Sequence, residues 1–186
     1  QLDKLGFRQD IPFDIGMTSS QYSNSETIES DIQLADSGYG QGQILVNPLH
    51  LACMYSAFFN EGNMIAPYLE YEEGKAASYW AEEVFTPEAA KTVYEDLKEV
   101  VSNPNGTGYA ASKVTGATLA GKTGTAEIKA SQEDENGTEL GWFAVYNTGV
   151  SEEDTVLMLN MVEDVKGRGG SGYVVSKDVE IWNQMQ

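Results

Sequence analysis

The chain has 186 residues, the length of one ordinary domain, and its 41% hydrophobic and 22% charged residues mark it as globular rather than disordered. With 29 acidic against 11 basic side chains and a formal net charge of −18, its surface repels phosphate backbones. That excludes nucleic acid as a partner and disfavours docking on an anionic membrane surface.

From the N-terminus, residues 1–40 carry few periodic patterns. Gln1-Leu2-Asp3-Lys4-Leu5-Gly6-Phe7 has neither an initiating Met nor a signal-like segment, so the chain reads as a piece of a longer polypeptide. Pro12 biases Ile11 toward extended backbone, and the Ser-, Thr- and Asn-rich stretch 18–30 reads as loop. Gly38-Tyr39-Gly40-Gln41-Gly42 is a turn. Its third Gly comes one place too early for a dinucleotide fingerprint and no strand leads into it, so no cofactor is expected. Asn47-Pro48 opens a helix expected to run to about residue 60, with Gly62 as its stop. Its apolar residues cover nearly every face, which predicts burial all round. Cys53 on this helix reads as a small buried hydrophobe and His50 as structural. One cysteine leaves no internal disulfide and no multi-cysteine metal site, and no metal is expected.

Residues 63–71 suggest a short strand. Thr86-Pro87-Glu88 opens a second helix, with Ala90, Val93, Tyr94, Leu97 and Val101 at helical spacing and Asn103-Pro104-Asn105-Gly106 as its stop. Three strands are expected over 118–129, 140–146 and 155–163, joined as antiparallel hairpins through Asn136-Gly137 and a short 148–154 connection. The second and third do not alternate polar with apolar residues, so both faces of this sheet should be covered. A last helix from about 174 carries a stripe of Val175, Val179, Trp182 and Met185. No apolar run reaches the roughly 18 residues of a spanning helix. The expected fold is mixed α/β (α+β): helices, a three-stranded antiparallel meander, then a closing helix.

The first of these strands carries the chemistry. Lys122-Thr123-Gly124-Thr125-Ala126-Glu127 puts a cation, a hydroxyl and a bare backbone at one spot. Alternation sends Lys122 and Gly124 to one face and Thr123 and Thr125 to the other. On that basis Lys122 reaches toward a nucleophile while Thr123 faces an incoming substrate. Gly124 permits close approach of another backbone, and the N–H of Thr125 can donate to a developing oxyanion. A free strand edge can bind a peptide-like ligand by strand addition. Serine acyl-transfer enzymes of the penicillin-binding and class A β-lactamase type use a Lys-Thr-Gly to hold a substrate carboxylate. This chain has no Ser-x-x-Lys and no Ser-x-Asn, so the nucleophile such a motif serves is missing from it. Glu127 reads as a solvated charge.

The wider pattern resembles the C-terminal part of the transpeptidase domain of class B penicillin-binding proteins, of the low-affinity, methicillin-resistance type of Gram-positive bacteria. The stretches that carry the resemblance span the chain: Ile11-Pro-Phe-Asp-Ile-Gly-Met17, Ala35-Asp-Ser-Gly-Tyr-Gly-Gln-Gly-Gln-Ile-Leu-Val-Asn-Pro48, Tyr55-Ser-Ala57, Gly62-Asn63, Ala120-Gly-Lys-Thr-Gly-Thr-Ala-Glu127, Gly141-Trp-Phe143 and Arg168-Gly-Gly170. The resemblance implies a β-lactamase/transpeptidase-like fold, with residues 1–186 forming the C-terminal portion of one domain: a mostly helical and loop part over 1–115, then sheet and C-terminal helix over 116–186. It implies a D,D-transpeptidase that cross-links peptidoglycan stem peptides ending in D-Ala-D-Ala and is acylated by β-lactams. Its parent is anchored in the bacterial cell membrane with this domain on the outer face, while the piece itself is soluble. Lys122 and Thr123, with Thr125, engage the substrate carboxylate, and Thr125 also supplies one oxyanion-hole N–H. Two of the three catalytic elements are absent, so the piece alone is expected to be inactive. The family's sheet has five strands, so the 155–163 strand lacks a neighbour here and invites self-association. A β-lactam sensor or catalytically silent module, and a β-lactamase or D,D-carboxypeptidase of the same superfamily, stay open as alternatives.

Overall fold

A computed structural model describes residues 1–129 and 136–185. It divides into two compact units, Gln1–Val93 and Tyr94–Gln186, with the boundary inside one helix.

In the first unit, Ser30 caps a short helix α1 (Asp31–Ser37) by accepting from the Gln33 N–H, an element that the region's weak periodicity did not disclose. Asn47 caps α2 (Pro48–Ser56), its Oδ1 accepting from the Leu49 N–H at 2.9 Å with Pro48 at the first helical position, as the sequence predicts. The helix ends at Ser56 rather than near residue 60. The Ser56 hydroxyl donates to the Cys53 carbonyl at 2.6 Å and accepts from the Ile65 N–H at 3.0 Å, tying the chain to the next segment. Turns then lead to Gly62 (φ 90°), where a Cβ would lie 2.1 Å from the Phe85 carbonyl oxygen, so no side chain fits. Burial of α2 is one-sided: His50, Cys53 and Ser56 are buried, and its other residues are only partly covered or exposed. The expected 63–71 strand shrinks to β1 (Met64–Ile65), paired antiparallel with β2 (Tyr79–Ala81). Leu5, Phe7, Cys53, Ala57, Met64 and Val84 form the core of this unit.

His50 ties this unit together. It is fully buried between the Phe7 and Trp80 rings, with centroids at 5.2 and 4.7 Å. Its Nε2 lies 2.6 Å from the Leu5 carbonyl, which can only accept, so Nε2 carries the hydrogen. Nδ1, 2.7 Å from Ser20 Oγ, then accepts from that hydroxyl, which itself accepts from the Asn47 N–H at 2.9 Å. One neutral ring therefore joins the N-terminal segment, the 20s loop and the α2 cap.

Helix α3 (Pro87–Ser102) starts where Thr86-Pro87 predicts, with Thr86 Oγ1 accepting from the Ala89 N–H at 3.2 Å. In the second unit, β3 (Thr118–Ile128), β4 (Thr138–Thr148) and β5 (Leu157–Val162) form the expected antiparallel meander, in the order β3-β4-β5. Four consecutive β4 residues, Phe143 to Tyr146, are buried, so both faces of that strand are covered there. Helix α4 (Ser171–Gln184) packs Val174, Val175 and Trp182 with Val101, Leu119, Phe143, Val145 and Val165. The expected stripe shifts with its start: Val174 and Asp178 are buried, whereas Met185 is 54% exposed.

Asp178 is the unusual member of that helix face. It is 1% exposed; its Oδ1 accepts from Asn160 Nδ2 of β5 at 2.6 Å, and its Oδ2 has no hydrogen-bond partner. Burial pushes the carboxyl up to about 6, against a smaller opposing effect of the Asn160 hydrogen bond. A raised folded-state value means the protonated form stabilises the fold at low pH and that contribution is lost as pH rises toward 6, a cost of about 3 kcal/mol at neutral pH. Asp178→Asn removes this titration. The thermal midpoint of the natural chain should therefore fall relative to that of the variant between pH 4 and pH 7, and a difference that stays constant across this range refutes the assignment. His50 has the opposite sign. Burial pulls its value below the ordinary 6.5, the Leu5 hydrogen bond opposing, so its stabilisation is present above 6.5 and lost as pH falls through the lower folded-state value. As the sole histidine, its imidazole resonances can be followed without ambiguity. A titration midpoint at or above 6.5 contradicts the buried neutral ring.

Candidate active site

Lys122, Thr123, Gly124 and Thr125 all lie on β3, which pairs with β4 along one side and forms the margin of the sheet among the described residues. The register sets Lys122 opposite Ala144, Thr123 opposite Phe143, Gly124 opposite Trp142 and Thr125 opposite Gly141. Lys122 and Thr125 are exposed and Gly124 is half-buried. The Lys122 ammonium folds along its own strand and donates to the Thr123 carbonyl at 2.7 Å. That bond holds the cation beside the hydroxyl-bearing residue instead of letting it sweep the solvent.

The sequence predicts that Thr123 faces an incoming substrate, and the structure shows what surrounds its side chain. It is buried, on the face where Phe143 packs, and its hydroxyl lies 2.7 Å from the hydroxyl of Thr107. Thr107 is the residue that sequence reasoning missed. It sits just past the Asn103-Pro104-Asn105-Gly106 stop, with no periodic pattern to mark it. The only local signal is its place between two glycines, Gly106 and Gly108. Thr125 lies beside the turn that leads into α4, where a Cβ built on Gly170 would be 3.5 Å from Thr125 Oγ1. Chemically, the arrangement offers a cation, the three hydroxyls of Thr107, Thr123 and Thr125 and a strand margin, a set suited to an acceptor-only group such as a carboxylate.

The other sequence candidates fall away from this site. Glu127 is exposed and pairs with Lys129 at 2.7 Å, the surface role expected of it. Burial pushes the Cys53 thiol up to about 11, which leaves no activated thiolate there. His50 has both ring nitrogens engaged in the core. Among the described residues no group of three or more His, Cys, Asp or Glu side chains is placed to hold a metal ion, and no helix is long and apolar enough to cross a membrane.

A mixed helix-and-sheet body with Lys-Thr-Gly on a strand that is marginal among the described residues is the arrangement expected of a penicillin-binding transpeptidase domain. Comparison with known proteins agrees. Residues 1–180 match the model of the penicillin binding protein transpeptidase domain, and the chain belongs to that family. It is 42% identical over 176 residues to penicillin-binding protein 3 of Bacillus subtilis, covering 95% of this chain and 26% of that protein. It is 26% identical over 155 residues to a peptidoglycan D,D-transpeptidase FtsI homolog of Mesostigma viride, covering 70% of this chain and 25% of that protein. The chain thus spans about a quarter of the length of these curated relatives. Among solved structures, it is similar to the transpeptidase domain of Burkholderia pseudomallei penicillin-binding protein 3, with a TM-score of 0.75 at 22% identity, covering 98% of this chain and 54% of the other. It is also similar to the ceftriaxone acyl-enzyme complex of Mycobacterium tuberculosis penicillin-binding protein A, with a TM-score of 0.72 at 16% identity, covering 98% and 41%.

Two glycines of β3 separate packing from site chemistry. A Cβ at Gly121 would lie 2.5 Å from the Ala144 carbonyl oxygen and 2.9 Å from the Phe143 ring, whereas one at Gly124 would lie an ordinary 3.5 Å from Trp142 Cβ. Gly121→Ala should therefore cost about 1–3 kcal/mol of stability, and Gly124→Ala should cost under about 1 kcal/mol. Denaturant unfolding of the two variants checks this; equal losses would show that Gly124, too, is required by packing.

Proposed function

We propose that this chain is the Lys-Thr-Gly-bearing portion of a penicillin-binding D,D-transpeptidase, which cross-links peptidoglycan stem peptides through a serine acyl-enzyme and is acylated by β-lactams. The observation that carries the reading is the display of Lys122 to Thr125 on the sheet margin of a chain that belongs to the transpeptidase family. Residues 1–186 are the C-terminal portion of that domain, of the low-affinity type, with a mostly helical and loop part over 1–115 and the antiparallel sheet plus C-terminal helix over 116–186. The parent is anchored in the bacterial membrane with this domain on its outer face.

In this reading Lys122 and the Thr123 and Thr125 hydroxyls hold the terminal carboxylate of a D-Ala-D-Ala stem peptide, or the carboxylate of a β-lactam. Gly124, lacking a Cβ, lets the substrate backbone lie against β3. The Thr125 N–H stabilises the oxyanion formed when a serine attacks the scissile carbonyl. That serine and its base come from outside this chain, which holds no Ser-x-x-Lys. Serine acyl transfer needs nucleophile and base within hydrogen-bond reach, so the chain alone binds without reacting. The outer edge of β5, which pairs only with β4 among the described residues, is where the chain self-associates when isolated.

Fluorescent penicillin tests the reading. The chain alone should give no labelled band on a denaturing gel, and the polypeptide that also carries the Ser-x-x-Lys segment should label. In that longer polypeptide Lys122→Ala should slow acylation roughly 10- to 100-fold, the worth of a charged hydrogen bond. Labelling of the chain alone refutes the external nucleophile. Unaltered acylation of the Lys122→Ala variant refutes the role of the motif. Rapid turnover of the label instead of a stable acyl-enzyme favours the β-lactamase alternative.

A further inference from the structure

We infer that Thr107 is a positioning residue for the carboxylate site: it fixes the Thr123 hydroxyl so that the hydroxyl's own hydrogen points at the bound anion. The inference rests on the carboxylate-binding role proposed above for the Lys-Thr-Gly strand. It starts from the 2.7 Å contact between the two hydroxyls, which joins residues 16 apart in sequence. Thr123 is buried and Thr107 is exposed, so the pair runs from the packed face of β3 outward.

Thr107 is held in place by a built turn. After α3 ends, the Asn105 N–H donates to Asn103 Oδ1 at 2.9 Å and the Gly106 N–H to the Asn103 carbonyl at 2.8 Å. The Gly108 N–H then reaches back to the Val100 carbonyl at 3.1 Å. A Cβ at Gly106 would lie 2.2 Å from that Val100 oxygen, so the turn is pressed onto the last turn of the helix. On the other side, a Cβ at Gly108 would lie 3.4 Å from the Phe143 ring, and Phe143 is the cross-strand partner of Thr123. The segment Gly106-Thr107-Gly108 is thus clamped between the end of α3 and the strand pair that carries Thr123, and its one side chain meets the Thr123 hydroxyl.

The proton inventory gives the contact a direction. A hydroxyl has one hydrogen to donate and two lone pairs. In an isolated pair either threonine can be the donor. A carboxylate only accepts, so a bound carboxylate requires Thr123 to donate to it, and Thr107 must then donate to Thr123. Thr107 thereby selects one rotamer of the Thr123 hydroxyl and polarises its O–H bond, as consecutive hydrogen bonds do. Lys122, whose ammonium bonds the Thr123 carbonyl, holds the same residue from its backbone side. Thr123 is pinned at both ends before any ligand arrives.

The test uses the full-length enzyme of the proposed function and measures the acylation rate constant and the binding constant separately, with benzylpenicillin and with its carboxylate methyl ester. Thr107→Val should weaken benzylpenicillin binding about fivefold, the worth of one hydrogen bond, with the acylation step and the ester both within about twofold of the natural enzyme. Thr107→Ser should restore benzylpenicillin, and Thr107→Ala should behave as Thr107→Val does. Thr123→Val should lose the same preference for the carboxylate, and adding Thr107→Val to it should cost nothing further. If Thr123→Val loses the preference while Thr107→Val keeps it, the positioning role is overturned and the Lys-Thr-Gly reading stands. If Thr107→Val lowers both compounds equally together with the thermal midpoint, the contact is structural only and the inference falls. If Thr123→Val itself leaves the preference intact, the underlying carboxylate role of Thr123 fails, and this inference with it.

Discussion

The second unit depends on the burial of β4. That strand has hydrogen-bonded neighbours on both edges and four consecutive buried residues, Phe143 to Tyr146, so it has nowhere to meet solvent along its centre. Among the described residues β3 pairs with β4 alone, so its Lys122–Thr125 segment lies at the border of the sheet. The chemistry of the site is a consequence of that order: the same residues on a central strand would have both main-chain edges consumed by pairing.

Small residues make the close packing around this centre possible. A Cβ on Gly141 would lie 2.9 Å from Val165 and Val174, so α4 can settle directly on β4 only where that strand has no side chain. Gly121 does the same for β3 against Phe143. Interiors packed to crystal-like density transmit displacement rather than absorb it. The position of Thr123 is therefore set by the Phe143 ring beneath it and by the Gly106–Gly108 turn resting on that ring. In this sense a residue past the end of α3 belongs to the same structural unit as the motif on β3.

The two units treat their buried polar groups differently. His50 has both ring nitrogens paired, so its neutral form is fully satisfied and serves as a three-way tie. Asp178 has one oxygen paired with Asn160 and one without a partner, so its ionised form carries an uncompensated desolvation cost. The contrast places polar tension under the site-bearing sheet and polar satisfaction in the helical and loop unit. Buried groups that cost stability at neutral pH are tolerated when the surrounding apolar burial is large, and α4 supplies it through Val174, Val175 and Trp182.

Local chemistry made much of this protein legible from its residues. Asn47-Pro48 and Thr86-Pro87 announce helix starts because their side chains satisfy the first free N–H groups, and both helices begin there. The unbroken apolar run of β4 reports a strand covered on both faces, whereas the similar run of β5 does not: none of its residues is buried and Met161 is exposed. Lys122-Thr123-Gly124 lies, as expected, on a strand that is marginal among the described residues. What the residues alone did not disclose were quantities that depend on distant partners. The early end of α2 comes with a Ser56 hydroxyl shared with Ile65, and the α4 stripe shifts because the helix starts at Ser171, which turns Asp178 inward to accept from the Asn160 amide on β5. The Thr107–Thr123 contact lies outside any periodic pattern, because no backbone repeat relates a turn after a helix to a strand 16 residues on. Propensity and capping act within a few residues and can be read in order along the chain. Hydroxyl pairing, desolvation and one-sided burial are set by atoms that only the folded tertiary arrangement brings together.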